Sequence, residues 1–168
     1  MNLLTRIART LLIGLSLTGV YGCNGAATHT ATIRPSYDNA TGRLKELAYD
    51  ANGNGSVDTW TEMDGSRPLR SRVDINEDGK IDRWEYYDAA QSGPDGRGAL
   101  VRAEEDTTHD GRPDKWETYE HGILKTVAFD ENGNGRPTRR LIYSSTARVV
   151  IESDPDASGR LAEHVDVR

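Results

Sequence analysis

Oxygen-bearing side chains recur on alternate residues of a short segment that begins at Asp74. Asp74, Asn76, Asp78 and Asp82 hold positions 1, 3, 5 and 9 of the segment, and a glycine holds position 6. Ca²⁺ takes roughly six to eight oxygen ligands, and alternate residues of a tight loop can turn their oxygens inward. Glycine permits the sharp bend at position 6, where φ is often positive. The segment therefore predicts a calcium loop, to which Lys80 at position 7 contributes its backbone carbonyl.

Two further segments repeat this spacing. In each of them the predicted ligands again occupy positions 1, 3, 5, 7 and 9, with position 7 acting through its carbonyl. They are Asp50, Asn52, Asn54, Ser56 and Asp58 in the first segment, and Asp106, Thr108, Asp110, Arg112 and Asp114 in the third. Side-chain carboxylates number three in the second and third segments and two in the first, so the predicted affinity falls in the order two, three, one.

Two more segments, opening at Asp130 and Asp154, keep the aspartate and a later glycine but carry Thr138 or Ala162 at position 9. They are the weakest candidates and can serve as plain turns. The same alternative applies to every segment, because Asp, Asn and Gly are also the commonest β-turn residues. A single segment favours a turn, whereas three segments with ligands at the same positions favour a cation site.

The three stronger segments resemble the calcium loops of EF-hand proteins, dockerins and thrombospondin type 3 repeats, and the Asp-x-Asp-x-Asp-Gly-x-x-Asp loops of integrin β-hairpins. The likeness covers about nine to twelve residues per segment. Only 15 residues, Pro68 among them, separate Asp58 from Asp74, which leaves no room for the two helices of an EF-hand pair. The hairpin form matches better, and it implies that the acids at position 12, Glu85 and Glu117, are not required as ligands.

The elements that must position these loops follow from an internal repeat. The opening aspartates stand 24, 32, 24 and 24 residues apart, and the long interval contains an eight-residue insertion at 89–96. Counting back from each aspartate, the odd positions, such as Phe129 and Val127, are apolar, and the even positions, such as Thr126, are mostly polar. This alternation is the period of a half-buried strand. Each unit of about 24 residues therefore predicts strand, loop, strand and turn, and the stacked units predict an all-β antiparallel meander of about ten strands over residues 33–168.

The predicted meander places every loop at one edge of the sheet. The faces on which its aromatic residues lie are less simple to predict. Trp60, Trp84 and Trp116 follow the first three loops. In a regular strand Trp84 and Tyr87 face opposite sides, so either a bulge realigns them or both faces are partly covered. A weaker resemblance, carried by the segment 37–44 (YDNATGRL), is to the YD repeats of bacterial cell-surface proteins, and it implies repeated β-hairpins without an activity.

The first 22 residues predict a secretory signal. Arg6 and Arg9 precede an apolar stretch that runs from Thr10 to Gly22. This stretch is too short for a transmembrane helix, which needs about 20 apolar residues, and it has the layout of a secretory signal. The stretch runs into Val-Tyr-Gly followed by Cys23, the only cysteine of the chain, and this end resembles the bacterial lipobox. The resemblance implies cleavage before Cys23 and lipidation of its thiol, with residues 23–32 as lipidated cysteine and flexible tether. The alternative is an ordinary signal peptide with a chance cysteine.

The anchor and the charge balance bound the function. Removing the leader leaves 19 basic against 27 acidic residues, which disfavours nucleic acid as a partner. The four histidines are scattered, with His109 at an outward position of its loop, so no enzyme is expected. The sequence predicts a non-enzymatic cell-envelope lipoprotein whose calcium loops stabilise a β-repeat domain. Asn24 follows the lipidated cysteine in place of the aspartate that is associated with retention in the inner membrane, which favours the outer membrane. The alternatives are a surface module that binds an envelope protein or a glycan through Trp/Tyr rows, and a metal-independent structural spacer.

Overall fold

The chain forms one antiparallel β-meander, as predicted. The computed structural model describes residues 32–91, 93, 98–144, 148–153, 155, 156 and 158–167, the last five through their backbone alone. The signal peptide, Cys23 and Asp154 lie outside these residues. Eleven strands follow one another in a single sheet, each paired with its neighbours in the sequence. They are β1 (Ile33–Tyr37), β2 (Leu44–Tyr49), β3 (Thr59–Asp64), β4 (Arg67–Val73), β5 (Arg83–Asp88), β6 (Ala99–Glu105), β7 (Lys115–Glu120), β8 (Ile123–Phe129), β9 (Arg139–Tyr143), β10 (Val149–Ser153) and β11 (Ala162–Val167).

The sheet is a single layer. In the described part of the chain each strand contacts only the strands beside it in the meander. No helix among the described residues has the length and apolar character needed to cross a membrane. Because a sheet normally buries one face against another layer, the stability of this one has to come from its own cross-strand neighbours.

The register aligns residues of the repeats into rows that run across the sheet. Side chains on one strand alternate between the faces, so paired residues in neighbouring strands share a face. Face A carries one such row through the tryptophans: Ala48, Trp60, Arg72, Trp84, Glu104, Trp116, Ala128 and Arg140. Face B carries the row beside it: Leu47, Thr61, Ser71, Glu85, Ala103, Glu117, Val127 and Leu141.

A β-bulge recurs near the turn end of the hairpins but does not realign the aromatic residues. Tyr86 pairs with Arg102 and Tyr87 with Leu100, so the extra residue is Val101 in β6 and strand β5 stays regular. Trp84 and Tyr87 therefore lie on opposite faces, and both are half-buried. Both faces of the sheet are therefore partly covered, and no bulge realigns the two residues.

The interior of face B is largely polar. Few apolar side chains are buried among the described residues, and they are mostly small: Ala103 and Val127 in the face B row, Ala128 in the face A row, and Ala99. Thr61 and Ser71 are also buried, and their hydroxyl groups hydrogen-bond across β3 and β4 at 2.8 Å. A single layer offers little volume for large apolar groups, so hydrogen bonds and ion pairs fill the place of an apolar core.

Arg83, the first residue of β5, lies on face B and joins three strands. Its guanidinium donates to Glu85 at 2.9 Å on its own strand, to Glu105 at 2.9 Å on β6 and to Glu117 at 2.8 Å on β7. Lys115 adds contacts of 3.0 Å to Glu105 and to Glu117. Only 18% of the Arg83 side chain and 11% of the Glu117 side chain are exposed, so these ions are shielded chiefly by one another.

This shielding changes the acidity of the cluster. Burial opposes ionisation of Glu117, but the bonds from Arg83, Lys115 and Tyr119 outweigh it and lower the pKa of Glu117 to about 2. Burial and the bond to Glu85 raise the pKa of Tyr87. Glu117 is therefore ionised at neutral pH.

Candidate metal-binding loops

Four equivalent loops lie side by side at one end of the sheet. Loop 1 (residues 50–58) joins β2 to β3, loop 2 (74–82) joins β4 to β5, loop 3 (106–114) joins β6 to β7 and loop 4 (130–138) joins β8 to β9. Successive connections of a meander alternate between its two ends, so the hairpin turns all lie at the other end. The predicted grouping of the loops at one edge is confirmed.

Backbone hydrogen bonds close each loop and join it to the loop before. In loop 2 the N–H of Asp82 donates to the carbonyl of Val73, the residue just before the loop, at 2.9 Å. The N–H of Asp74 donates to the carbonyl of Asp58, the last residue of loop 1, also at 2.9 Å. The corresponding bonds recur in loops 3 and 4, and in loop 4 Thr138 makes the closing bond in place of an aspartate. The loop backbone thus does not depend on an acid at position 9.

The position 1 carboxylates are buried and accept N–H groups of their own loop. Asp50 is fully buried, and it accepts the N–H groups of Gly53 at 2.6 Å, Asn54 at 3.1 Å and Gly55 at 2.7 Å. The glycine at position 6 donates to the opening aspartate in the other loops as well, at 2.6–2.9 Å. These bonds curl the loop around its first carboxylate.

The position 9 carboxylates hold the opposite side of the loop. Asp82 accepts the N–H groups of Ile75 at 2.8 Å and Asn76 at 3.2 Å, and Asp58 accepts the equivalent pair in loop 1. Burial opposes ionisation of Asp58, but the Thr59 hydroxyl and the loop N–H groups outweigh it and lower its pKa. Loops 1 and 2 therefore each hold one buried carboxylate at position 1 and another at position 9.

The oxygens of positions 1 and 3 converge on a single N–H group. In loop 2 the N–H of Asp78 lies 3.2 Å from Asp74 Oδ1 and 2.9 Å from Asn76 Oδ1. Loop 1 repeats this with Asn54 as the donor at 3.1 and 3.0 Å, and loop 4 with Asn134 at 3.2 and 3.2 Å. In loop 3 Thr108 instead donates its hydroxyl to Asp106 at 3.3 Å.

Position 5 forms a further turn with position 7. Asp78 accepts the N–H of Lys80 at 2.9 Å, and Asp110 accepts that of Arg112 at the same distance. In loop 1 Asn54 accepts the N–H of Ser56 at 2.8 Å. The position 7 residues are exposed, and the structure gives their N–H groups, rather than their carbonyls, a partner within the loop.

The acids at position 12 lie elsewhere. Glu85 and Glu117 belong to strands β5 and β7 and bond Arg83 on face B. Among the residues that the structure describes, no three His, Cys, Asp or Glu side chains group together to hold a metal ion.

The segment after β10 has a different geometry. Asp156 accepts the N–H groups of Ser158 at 2.8 Å and Arg160 at 3.0 Å, and the backbone N–H of Asp156 donates to the carbonyl of Arg160. This is a tight turn around Asp156. The fifth sequence candidate, which opens at Asp154, thus differs from the four loops in its described residues.

Two side chains that reach a neighbouring loop were not predicted from the sequence. Glu77 reaches from loop 2 to Asn52 and Asn54 of loop 1. His109, expected to point outward, reaches from loop 3 to Asp82 of loop 2 at 2.8 Å. The signal that could have revealed them is position 4, because Glu77 and His109 stand where loops 1 and 4 have glycine.

The three tryptophans form a row on face A. Trp60, Trp84 and Trp116 occupy every second strand, with Arg72 and Glu104 between them. Neighbouring strands are about 4.8 Å apart, so the tryptophans recur at roughly 10 Å. Each is half-buried, and no described strand lies over them.

No protein-family model matches this chain, and no curated protein matches it in sequence.

Proposed function

We propose that the chain is a non-enzymatic lipoprotein of the bacterial cell envelope, anchored through Cys23, whose loops 1–3 bind calcium and so stabilise the β-meander. Loop 2 is the principal site and loop 3 the next. Calcium then supplies charge neutralisation at the end of the sheet where acidic side chains accumulate.

The observation that carries the proposal is the convergence of the oxygens at positions 1 and 3. Two oxygens that share one N–H donor lie side by side, which is the arrangement a multidentate oxygen site requires. In loop 2 the two oxygens belong to Asp74 and Asn76. Asp74 accepts two N–H groups in all, and an ionised carboxylate has about four lone-pair sites. Lone pairs therefore remain for a cation.

Charge supports the same assignment. Asp74, Asp78 and Asp82 fall within nine residues, and two of them are buried. A buried carboxylate is stabilised by a counter-charge, and a divalent cation supplies one. Loop 4 carries one carboxylate at the corresponding positions and is the weakest binder of the four loops.

Calcium is expected to raise the melting temperature of the full-length chain in detergent. With a dissociation constant of about 10⁻⁴–10⁻³ M, 10 mM calcium stabilises the folded state by roughly 1–3 kcal/mol, a rise of several degrees over the value in EDTA. Asp78→Asn combined with Asp110→Asn removes two carboxylates while keeping an oxygen for each position 7 N–H. This variant should melt near the wild type in EDTA and lose most of the calcium response.

The matched control is Asp64→Asn, the same chemical change on the exposed β3–β4 turn, which should leave the calcium response unchanged. Melting is followed by the circular dichroism of the sheet. A wild-type melting temperature that is equal in calcium and in EDTA would refute calcium binding and favour the metal-independent spacer. An undiminished response in the double variant would refute the assignment of loops 2 and 3.

The lipid anchor is testable separately. In a bacterium that processes lipoproteins, the wild-type chain should incorporate labelled fatty acid, and Cys23→Ser should abolish the label because no other cysteine is present. Asn24→Ser beside it is the control and should be labelled normally. Label that persists in Cys23→Ser, or is missing from the wild type, would contradict anchoring at this residue.

A surface module that binds a protein or a glycan is the second candidate. The row formed by Trp60, Trp84 and Trp116 favours it, because half-exposed tryptophans at regular intervals offer flat apolar surface on one face. Arg72 and Glu104, which interrupt the row, separate the three rings into individual patches. The calcium loops lie at the end of the sheet, so both functions can coexist.

A further inference from the structure

Two residues at position 4 join successive loops through their side chains. Glu77 of loop 2 places Oε1 2.7 Å from Asn52 Nδ2 of loop 1, and it also accepts the side-chain amide of Asn54. His109 of loop 3 places Nδ1 2.8 Å from Asp82 Oδ1 of loop 2. In both cases a loop receives a side chain from the loop that follows it in the sequence.

Both residues adopt a left-handed backbone conformation, with positive φ, which residues other than glycine rarely adopt. The φ angle is 59° at Glu77 and 60° at His109, and loops 1 and 4 place Gly53 and Gly133 at the same position with φ of 77° and 71°. A residue with a Cβ is strained in this region, because its Cβ approaches the following carbonyl oxygen. A glycine at position 4 would avoid the cost, so in loops 2 and 3 the side chain has to offset it by what it contacts.

The boundary between loops 3 and 4 shows the contrast. Gly133 has no side chain to send towards loop 3, and a cleft lies there, lined by Asp110, Asp114 and Asp130 among others. The backbone bond from the N–H of Asp130 to the carbonyl of Asp114 is nevertheless retained at 2.8 Å. The backbone link is thus common to successive loops, whereas the side-chain link is specific to the boundaries between loops 1 and 2 and between loops 2 and 3.

We propose that Glu77 and His109 are latches, each of which holds the preceding loop in its folded conformation: Glu77 of loop 2 holds loop 1, and His109 of loop 3 holds loop 2. Glu77 fixes loop 1 by orienting the amides of Asn52 and Asn54. Their oxygens are thereby turned back to the N–H groups of Asn54 and Ser56 within the loop. The coupling needs no metal ion and is therefore separable from calcium binding.

Amide hydrogen exchange of the full-length chain in EDTA tests the latch. Loop 1 reports through the N–H groups that Asp50 and Asp58 accept, and loop 4 through those that Asp130 accepts. Glu77→Gly should accelerate exchange in loop 1 about fivefold to tenfold, because local opening sets the exchange rate. Loop 4 should be unchanged, and loop 2 should exchange no faster, since glycine relieves the strain at position 77.

Two comparisons make the test specific. Glu77→Gln keeps an acceptor oxygen and should restore most of the protection of loop 1. In a background of Asn52→Ala with Asn54→Ala, Glu77→Gly should accelerate loop 1 no further. His109→Gly should accelerate loop 2 in the same way. Unchanged exchange in loop 1 of Glu77→Gly, or equal acceleration in all four loops, would overturn the proposal.

Discussion

Replacing Arg83 with methionine is expected to lower the free energy of unfolding by about 3–5 kcal/mol, because removing one partner of a buried ion cluster leaves the others uncompensated. Glu85, Glu105 and Glu117 all lose a guanidinium contact of 2.8–2.9 Å. Lys115 then faces these carboxylates as the one remaining cation of the cluster. Urea unfolding at neutral pH measures the change.

The same substitution should alter the acid sensitivity of the protein. The pKa of Glu117 is held at about 2, below its ordinary value of 4.5. A depressed folded-state pKa contributes stability that is complete above 4.5 and is lost as the pH falls towards 2. Without Arg83 the pKa of Glu117 rises, so the variant should lose less stability than the wild type between these two pH values.

Arg70→Met is the matched control on face A. Arg70 bonds Glu62 at 2.6 Å, but 43% of the arginine side chain is exposed. An exposed pair of this kind contributes less than about 1 kcal/mol, so the control should unfold near the wild-type urea concentration. Equal losses in Arg70→Met and Arg83→Met would contradict the view that burial of the ions in face B sets their importance.

Replacing Asp50 with alanine should destabilise the protein by about 2–4 kcal/mol in EDTA, because N–H groups that lose their acceptor in a buried setting are costly. Asp50 is fully buried and accepts three N–H groups from Gly53, Asn54 and Gly55. Since all three belong to loop 1, the loop loses the group around which it curls. Urea unfolding in EDTA measures the loss without any contribution from calcium.

Asp50→Asn and Glu131→Ala bracket this prediction. Asparagine keeps one acceptor oxygen and should cost less than alanine. Glu131 is an exposed acid of loop 4 that pairs with Arg139, and its removal should cost under about 1 kcal/mol. A loss in Asp50→Ala no greater than in Glu131→Ala would show that the carboxylate does not organise the loop.

Two kinds of buried polar contact stabilise this single-layer sheet. Face B holds ions that are buried by one another across β5, β6 and β7. The loop end holds carboxylates such as Asp50 and Asp82 that are buried by backbone N–H groups. Both replace part of the apolar burial that a second layer would normally supply.

The sequence by itself determined the local architecture. Alternation of apolar and polar residues before Asp50, Asp74, Asp106 and Asp130 predicted the strands, since a strand repeats every two residues. Asx side chains and glycines predicted where the chain turns, because those preferences act over a few neighbouring residues. Such information survives in a single sequence, and it was enough to predict a meander with its loops at one end.

Only the tertiary structure decided which side chains meet across strands and loops. Arg83 and Glu117 are 34 residues apart, and Glu77 is 25 residues from Asn52. Their contact depends on the register of neighbouring strands and on bulges such as the one at Val101, and a shift of one residue would send each side chain to the other face. The single layer was likewise decided at this level, because whether a second layer covers a face depends on how strands pair in space, which the period of one strand does not encode.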